Sequence, residues 1–217
     1  MDSYIPTYIL YSPGSQRKDR ILDSIENNVT LPLKINMHPG IFLTDESQMQ
    51  MYEYEDLEGY NNKSKRMAPN YVRAVVGSKR AHRQMFYKAA EEQTDWVLCM
   101  EDDVAITPAI NEAIEKAMTA PDDIGFVTFY RSNHYKVNTT PVNPGNIEVF
   151  TGKDFLRGFV CFLARPSFLK RMADDLEKYG MECDILLTDY MQAGEKLWLI
   201  EAVGTGAERS FIGGYEA

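Results

Sequence analysis

Three stretches of this 217-residue chain, "DWVLCM", "IGFVTFY" and "GFVCFLA", are apolar continuously rather than at alternate positions. A strand reads that way when both of its faces are covered, as in a sheet sandwiched between helices. "YIPTYILY" (4–11) and "KLWLIEAV" (196–203) are β-branched and aromatic and add two more strands. "TLPLKINM" (30–37) is a weaker one, and Pro32 near its start suits a sheet edge.

Helical patterns lie between these runs. "SQRKDRILDSIENN" places Ile21, Leu22 and Ile25 on one face, with Ser15 as a candidate N-cap. From Asn70 to Glu92 a long helix is expected, with Val75, Ser78, His82, Met85, Phe86 and Ala89 on one stripe. Arg73, Lys79, Arg80 and Arg83 fall on the neighbouring arc. "PAINEAIEKAMT" opens on Pro108, "PSFLKRMADDLEKYG" runs from Pro166 to Gly180, and "DILLTDYMQAG" is a shorter helix. Strands alternating with helices predict an α/β fold, one mixed but mainly parallel sheet flanked by helices. Ligands in such sheets sit at the carboxyl ends of the strands.

Composition narrows the partners. Apolar residues make up 44% and charged residues 25%, an ordinary globular balance. There is no run of eighteen apolar residues, and the N-terminus lacks a basic segment followed by an apolar one. No membrane span and a cytoplasmic location are therefore expected. Cys99, Cys161 and Cys183 are odd in number and far apart, which suits reduced core thiols. The net charge of −9 argues against a protein that wraps nucleic acid. It is unevenly spread, however. Asp45–Glu58 carries only acids, and Lys63–Arg83 only bases, including Lys63, Lys65 and Arg66.

The strand "WVLCM" runs into Glu101, Asp102 and Asp103. Period-two alternation puts Glu101 and Asp103 on one side, with Asp102 turned away or toward a ribose. Two readings stand: hard oxygen ligands for Mg²⁺ or Mn²⁺ that leave positions open for a diphosphate, or a solvated acidic turn. Arg17 and Arg20 follow the first strand, where nucleotide phosphates lie in α/β folds, though surface helix arginines read the same way. His82 lies in the middle of an apolar stripe and reads as a buried orienting group rather than a base.

Taken in order, "YILYSPGSQRKDRI", "VVGSKRAHRQMFYKA", "WVLCMEDDVAI", "RGFVCFLARPSFLKRM" and "MECDILLTDYM" resemble glycosyltransferase family 25, the lipopolysaccharide and collagen sugar transferases. Gly77 and His82 match the family's Gly-Cys-x-x-Ser-His helix. Ser78 stands where the family prefers Cys, Ala81 where it prefers Ser, and Phe162 where it prefers Tyr. The resemblance implies a GT-A, Rossmann-like fold in a single domain (1–217), with a nucleotide-sugar half (1–106) and an acceptor half (107–217). It implies transfer of a hexose from a nucleotide diphosphate sugar, typically a UDP-hexose, to an acceptor hydroxyl with inversion. Glu101 and Asp103 would hold Mn²⁺ or Mg²⁺, and Arg17, Arg20, Gly77, His82 and Asp102 would serve the donor. An inverting transfer needs a base near the acceptor hydroxyl. Asp184 and Asp189 are the candidates, and Asp184 reads equally well as a helix N-cap.

The acceptor is expected to be a glycan or lipooligosaccharide; a hydroxymethylated nucleobase of DNA is possible but not favoured. A GT-A-like module that binds nucleotide or metal without catalysis is a further alternative. The basic arc reads as a solvated helix face, or as a surface that neutralises a phosphorylated ligand. "YRSNHYKVN" (130–138), with His134, is polar and aromatic and suits a sugar-stacking loop.

Overall fold

The computed structural model describes residues 4–48, 69–131, 139–142, 147–150, 158–179, 183 and 185–205. Strands β1 (Ile5–Tyr11), β2 (Leu33–Pro39), β3 (Val97–Glu101), β4 (Val104–Ile106) and β5 (Phe126–Tyr130) are followed by β6 (Thr139–Val142), β7 (Ile147–Phe150), β8 (Cys161–Ala164) and β9 (Trp198–Thr205). The helices are α1 (Arg17–Asn28), α2 (Pro69–Ala89), α3 (Ala109–Ala117), α4 (Pro166–Leu176) and α5 (Ile185–Gln192).

All of these strands belong to one sheet, ordered β2-β1-β3-β8-β5-β9-β7-β6, with β4 paired to β9. β2, β1 and β3 are mutually parallel, as are β5 and β9. β8 runs antiparallel to both β3 and β5, so β3 and β5 point the same way. The expected sheet flanked by helices is therefore present, with one reversed strand at its centre. Continuous apolar character reports burial on two faces and is blind to direction, which is why "GFVCFLA" did not reveal its reversal.

Alternation along the strands feeds two cores. Tyr8, Leu10, Val97, Cys99, Phe126 and Phe162 point to one face, which α2, α4 and α5 cover through Phe86, Leu169 and Leu187. Ile9, Leu98, Met100, Val127, Phe129 and Leu163 point to the other, covered by α1 and α3 through Ile21, Ile25, Ile110 and Ile114. Each central strand thus buries both sets of side chains, the condition its sequence announces. β2 lies at the edge as expected, with Lys34 and Ile35 exposed.

Two details of α1 and α2 bear on the site. Ser15 Oγ accepts the Arg17 amide at 3.1 Å, closing the first turn of α1, although Gln16 occupies the N-cap position. On α2 the expected stripe is buried at Val75, His82, Met85, Phe86 and Ala89, with Ser78 half-buried. The neighbouring arc departs from a solvated face: Lys79 is only 2% exposed. Helical periodicity ranks residues by angle but cannot reveal a distant segment that covers one of them. The three cysteines are free and buried. No helix among the described residues is long and apolar enough to cross a membrane.

Candidate active site at the ends of β1 and β3

Strands β1 and β3 are parallel, with Leu10 opposite Glu101, so both end at the same edge of the sheet. The loop after β2 closes over this edge, tied by the Gly40 amide to the Tyr11 carbonyl at 2.7 Å. These segments and α2 enclose a pocket of about 210 Å³. Leu10, Tyr11, Ile41, Phe42 and Ala74 give it apolar walls, and Ser12, Arg17, Ser78, Glu101, Asp102 and Asp103 supply the polar groups.

The acidic triplet does not continue the strand. β3 ends at Glu101, Asp102 and Asp103 form a turn, and β4 begins at Val104. Strand alternation therefore stops at Glu101, and each acid meets a different environment. Glu101 faces α2, its Oε1 3.2 Å from His82 Nε2. Asp102 is buried, accepts the Ser12 amide at 2.6 Å and lies 3.9 Å from the Arg17 guanidinium. Asp103 turns into the pocket, where its Oδ1 is buried and has no hydrogen-bond partner among the described residues.

These environments set the protonation of the groups. Burial, then the neighbouring Glu101 charge, push the Asp103 carboxyl up to about 7 against the pull of Arg17. Asp102 is also raised by burial, with the Ser12 amide and Arg17 opposing that rise. Burial works against a charge on His82, yet the Cys183 sulfur and the Glu101 carboxylate outweigh it and hold the ring well above its ordinary value.

His82 Nδ1 lies 2.9 Å from the Ser78 carbonyl, which can only accept, so that nitrogen carries a proton. Ser78 Oγ is 3.3 Å from the same Nδ1, and with Glu101 the set has the outline of a Ser-His-acid triad. A protonated Nδ1 cannot take the Ser78 proton, so the hydroxyl is not activated as a nucleophile. His82 supports Glu101 instead.

The expected site residues separate into groups. Glu101, Asp102, Asp103 and Arg17 line the pocket together. His82 stands behind Glu101. Gly77 is not among the lining residues, but a Cβ there would come within 2.3 Å of the Ile41 carbonyl. Its bare backbone lets the 40–42 loop lie against α2 and form the pocket wall. Arg20 is exposed on α1. Asp189 is exposed on α5, accepts a hydrogen bond from the Tyr179 hydroxyl, and is not among the pocket-lining residues. Asp184, Gly180, His134 and the rest of 132–138, the basic Lys63, Lys65 and Arg66, and the C-terminal segment 206–217 lie outside the described residues.

Sequence patterns did not single out Ser12, Phe42 or Cys183 for the site. Ser12 contributes a backbone amide, which any residue but proline carries. Phe42 is 56% exposed yet lines the pocket, and an isolated loop aromatic has no periodicity to betray it.

The described residues contain no group of three or more His, Cys, Asp or Glu side chains preassembled around an ion. The donor set still fits a magnesium-like cation, which takes one or two carboxylates and completes its shell with water and substrate phosphates. Glu101 and the unpartnered Asp103 oxygen are such a pair.

No protein-family model matches the chain, and no curated protein matches it. Among solved structures, it is similar to 4-diphosphocytidyl-2C-methyl-D-erythritol synthase from Anaerococcus prevotii. The TM-score is 0.42 and the identity 10%, over 97% of this chain and 91% of that one. A likeness at this level says nothing about the activity of this chain.

Proposed function

We propose that this chain is a metal-dependent glycosyltransferase that moves a hexose from a nucleotide diphosphate sugar, UDP-linked, to an acceptor hydroxyl of a glycan or lipooligosaccharide. One observation carries the reading. A buried carboxylate oxygen of Asp103 faces a pocket at the strand ends without a partner, beside Glu101 and within the field of Arg17. Such a group raises its pKa or takes a cation, and the pocket also offers a cation of its own for phosphate. Order and spacing of the motifs shared with glycosyltransferase family 25 support the sugar-transfer part.

In this reading Glu101 and Asp103 hold Mn²⁺ or Mg²⁺, which when bound offsets the charge that builds on the departing diphosphate. Arg17, held by the first turn of α1, directs its guanidinium charge toward the same phosphates. His82 keeps Glu101 turned into the pocket. The apolar walls at Ile41, Phe42 and Ala74 exclude water from the donor. The proton of the acceptor hydroxyl is assigned to Asp184, since Asp189 is engaged by Tyr179 outside the pocket lining.

Calorimetric titration with UDP and a panel of UDP-hexoses, with and without Mn²⁺, tests this reading. UDP is expected to bind only with the metal, and Asp103→Asn to lose that binding. UDP affinity that is equal without metal and survives Asp103→Asn would overturn it. Binding to an oligonucleotide with a steep negative salt slope would move the acceptor to nucleic acid.

A further inference from the structure

Asp102 is out of place in a pocket that receives phosphates, because a carboxylate repels them. Its side chain is also nearly removed from water, the residue being 8% exposed. Burying a carboxylate is costly unless its oxygens are engaged. Both are. Oδ2 accepts the Ser12 amide at 2.6 Å, and Oδ1 lies 3.9 Å from Arg17 Nη1. Arg17 is buried as well, at 7% exposure, so each charge answers the other.

These contacts close on themselves. Ser12, whose amide Asp102 holds, accepts the Ser15 amide at its own carbonyl at 3.1 Å. Gly14 stands between them at φ 82°, a conformation that glycine takes without strain. Ser15 Oγ accepts the Arg17 amide at 3.1 Å in the first turn of α1. The Arg17 side chain then returns to Asp102. The exit of β1, the start of α1 and the turn after β3 are joined in one ring, and every link of it is an observed contact. At 3.9 Å the last link is an ion pair without a hydrogen bond. It aims the guanidinium and itself occupies none of the forked donors, and Arg17 lines the pocket.

We propose that Asp102 is a positioning residue: one carboxylate oxygen pins the exit of β1, the other tethers Arg17, and together they hold the guanidinium toward the anionic group of the ligand. Asp102 acts through Arg17 and is not itself a ligand of the metal. The consequence for donor binding rests on the metal-dependent transferase reading; the ring of contacts does not.

Asp102→Asn keeps the shape of the side chain and an acceptor for the Ser12 amide, and removes the charge that tethers Arg17. Charge alone would make an anion bind more tightly to this variant. Positioning predicts the reverse: by calorimetry, UDP with Mn²⁺ should bind about fivefold more weakly. Mn²⁺ alone should bind within about threefold of the parent, as for a carboxylate that does not touch the metal. In an Arg17→Met background the same substitution should no longer weaken UDP binding, because the group through which it acts is gone. Two further readouts need neither nucleotide nor metal. The Arg17 Nε–H signal in a nitrogen-correlated NMR spectrum should move in Asp102→Asn, and that of Arg171 should not. Hydrogen exchange at the Ser12 amide should be about tenfold faster in Asp102→Ala, which lacks the acceptor, than in the parent.

UDP affinity in Asp102→Asn equal to the parent's or above it would overturn the proposal. So would a larger loss of Mn²⁺ binding, the mark of a direct metal ligand, or an undiminished effect in the Arg17→Met background. If Asp102→Asn does not fold, the parent decides. A Ser12 amide protected from exchange supports the ring, and one that exchanges as fast as the amides of an exposed turn overturns it. A parent protein that fails to bind UDP removes the transferase reading, and the ring then stands or falls on the Arg17 and Ser12 signals.

Discussion

His82 Nε2 stands 3.2 Å from Glu101 Oε1, so α2 and β3 meet at the pocket through a ring and a carboxylate. The ring is also packed between Phe86 and Phe159, with centroids 5.7 and 5.2 Å away. Its two jobs separate by substitution. His82→Phe keeps the aromatic packing and loses the Glu101 contact. It is expected to stay within about 1.5 kcal/mol of the parent stability, yet to bind UDP with Mn²⁺ about tenfold more weakly. His82→Ala loses both, and urea denaturation should show a destabilisation of about 2–4 kcal/mol.

The unliganded protein should lose stability as pH rises through the range in which Asp103 ionises. Its folded carboxyl titrates at about 7, against an ordinary value of 3.8. Between those values the folded chain keeps a proton that the unfolded chain has released, so stability falls with rising pH and the penalty is complete above 7. Asp103→Asn removes it. The variant should melt higher than the parent at pH 8, by an equivalent of about 1–2 kcal/mol once solvent screening is allowed for. Near pH 4 the two should coincide. Adding Mn²⁺ at pH 8 should stabilise the parent and leave the variant unmoved.

Gly77→Ala places a methyl group against the Ile41 carbonyl, where backbone cannot give way cheaply. Overpacking of this kind costs about 1–3 kcal/mol. Because Ile41 and Phe42 line the pocket, the displaced loop should also weaken UDP binding. Thermal melting and calorimetry on the same sample report the two effects. A variant with parent-like nucleotide affinity would separate the loop from the donor.

The two carboxylates considered as base should part company in turnover. Asp189 is exposed and bonded to Tyr179, so Asp189→Asn should leave kcat within about threefold, a change of well under 1 kcal/mol. Asp184→Asn should lower kcat by about 10²–10⁴ with little change in KM for the donor, as for loss of a general base. Steady-state kinetics with a UDP-hexose and an acceptor panel distinguishes them, and the reverse pattern would transfer the role to Asp189.

How much of this could be read from the chain depends on which physical signal each feature leaves. Hydrophobic runs and helix periods predict β1, β2, β3, β5, β8, β9 and the helices α1 to α5, because burial of a face is written locally; the short 3-10 turn at Glu46–Gln48 leaves no such signal. β4, β6 and β7 were not anticipated; they are three or four residues long, too short for a period to develop. The triplet was visible as a strand-end acid cluster, but not the turn that sends Glu101 toward His82 and Asp102 toward Ser12. Lys79 was placed on a cationic arc because the segment that buries it, at Tyr179, lies far along the chain. Gly77 stands out in the sequence only as part of a motif, and its physical reason is the Ile41 carbonyl beside it, far from it in the chain.

The reversed strand β8 also dictates an order of events during synthesis. Cys99 of β3 pairs with Phe162, and Thr128 of β5 pairs with the same residue from the other side. A nascent chain that has emerged only as far as β7 holds two strong apolar strands whose shared partner does not yet exist. Until β8 arrives, each offers a raw edge to other chains. Chaperone demand should therefore peak over that interval of translation, and a chain that stops short of residue 161 should aggregate rather than persist as a smaller folded unit.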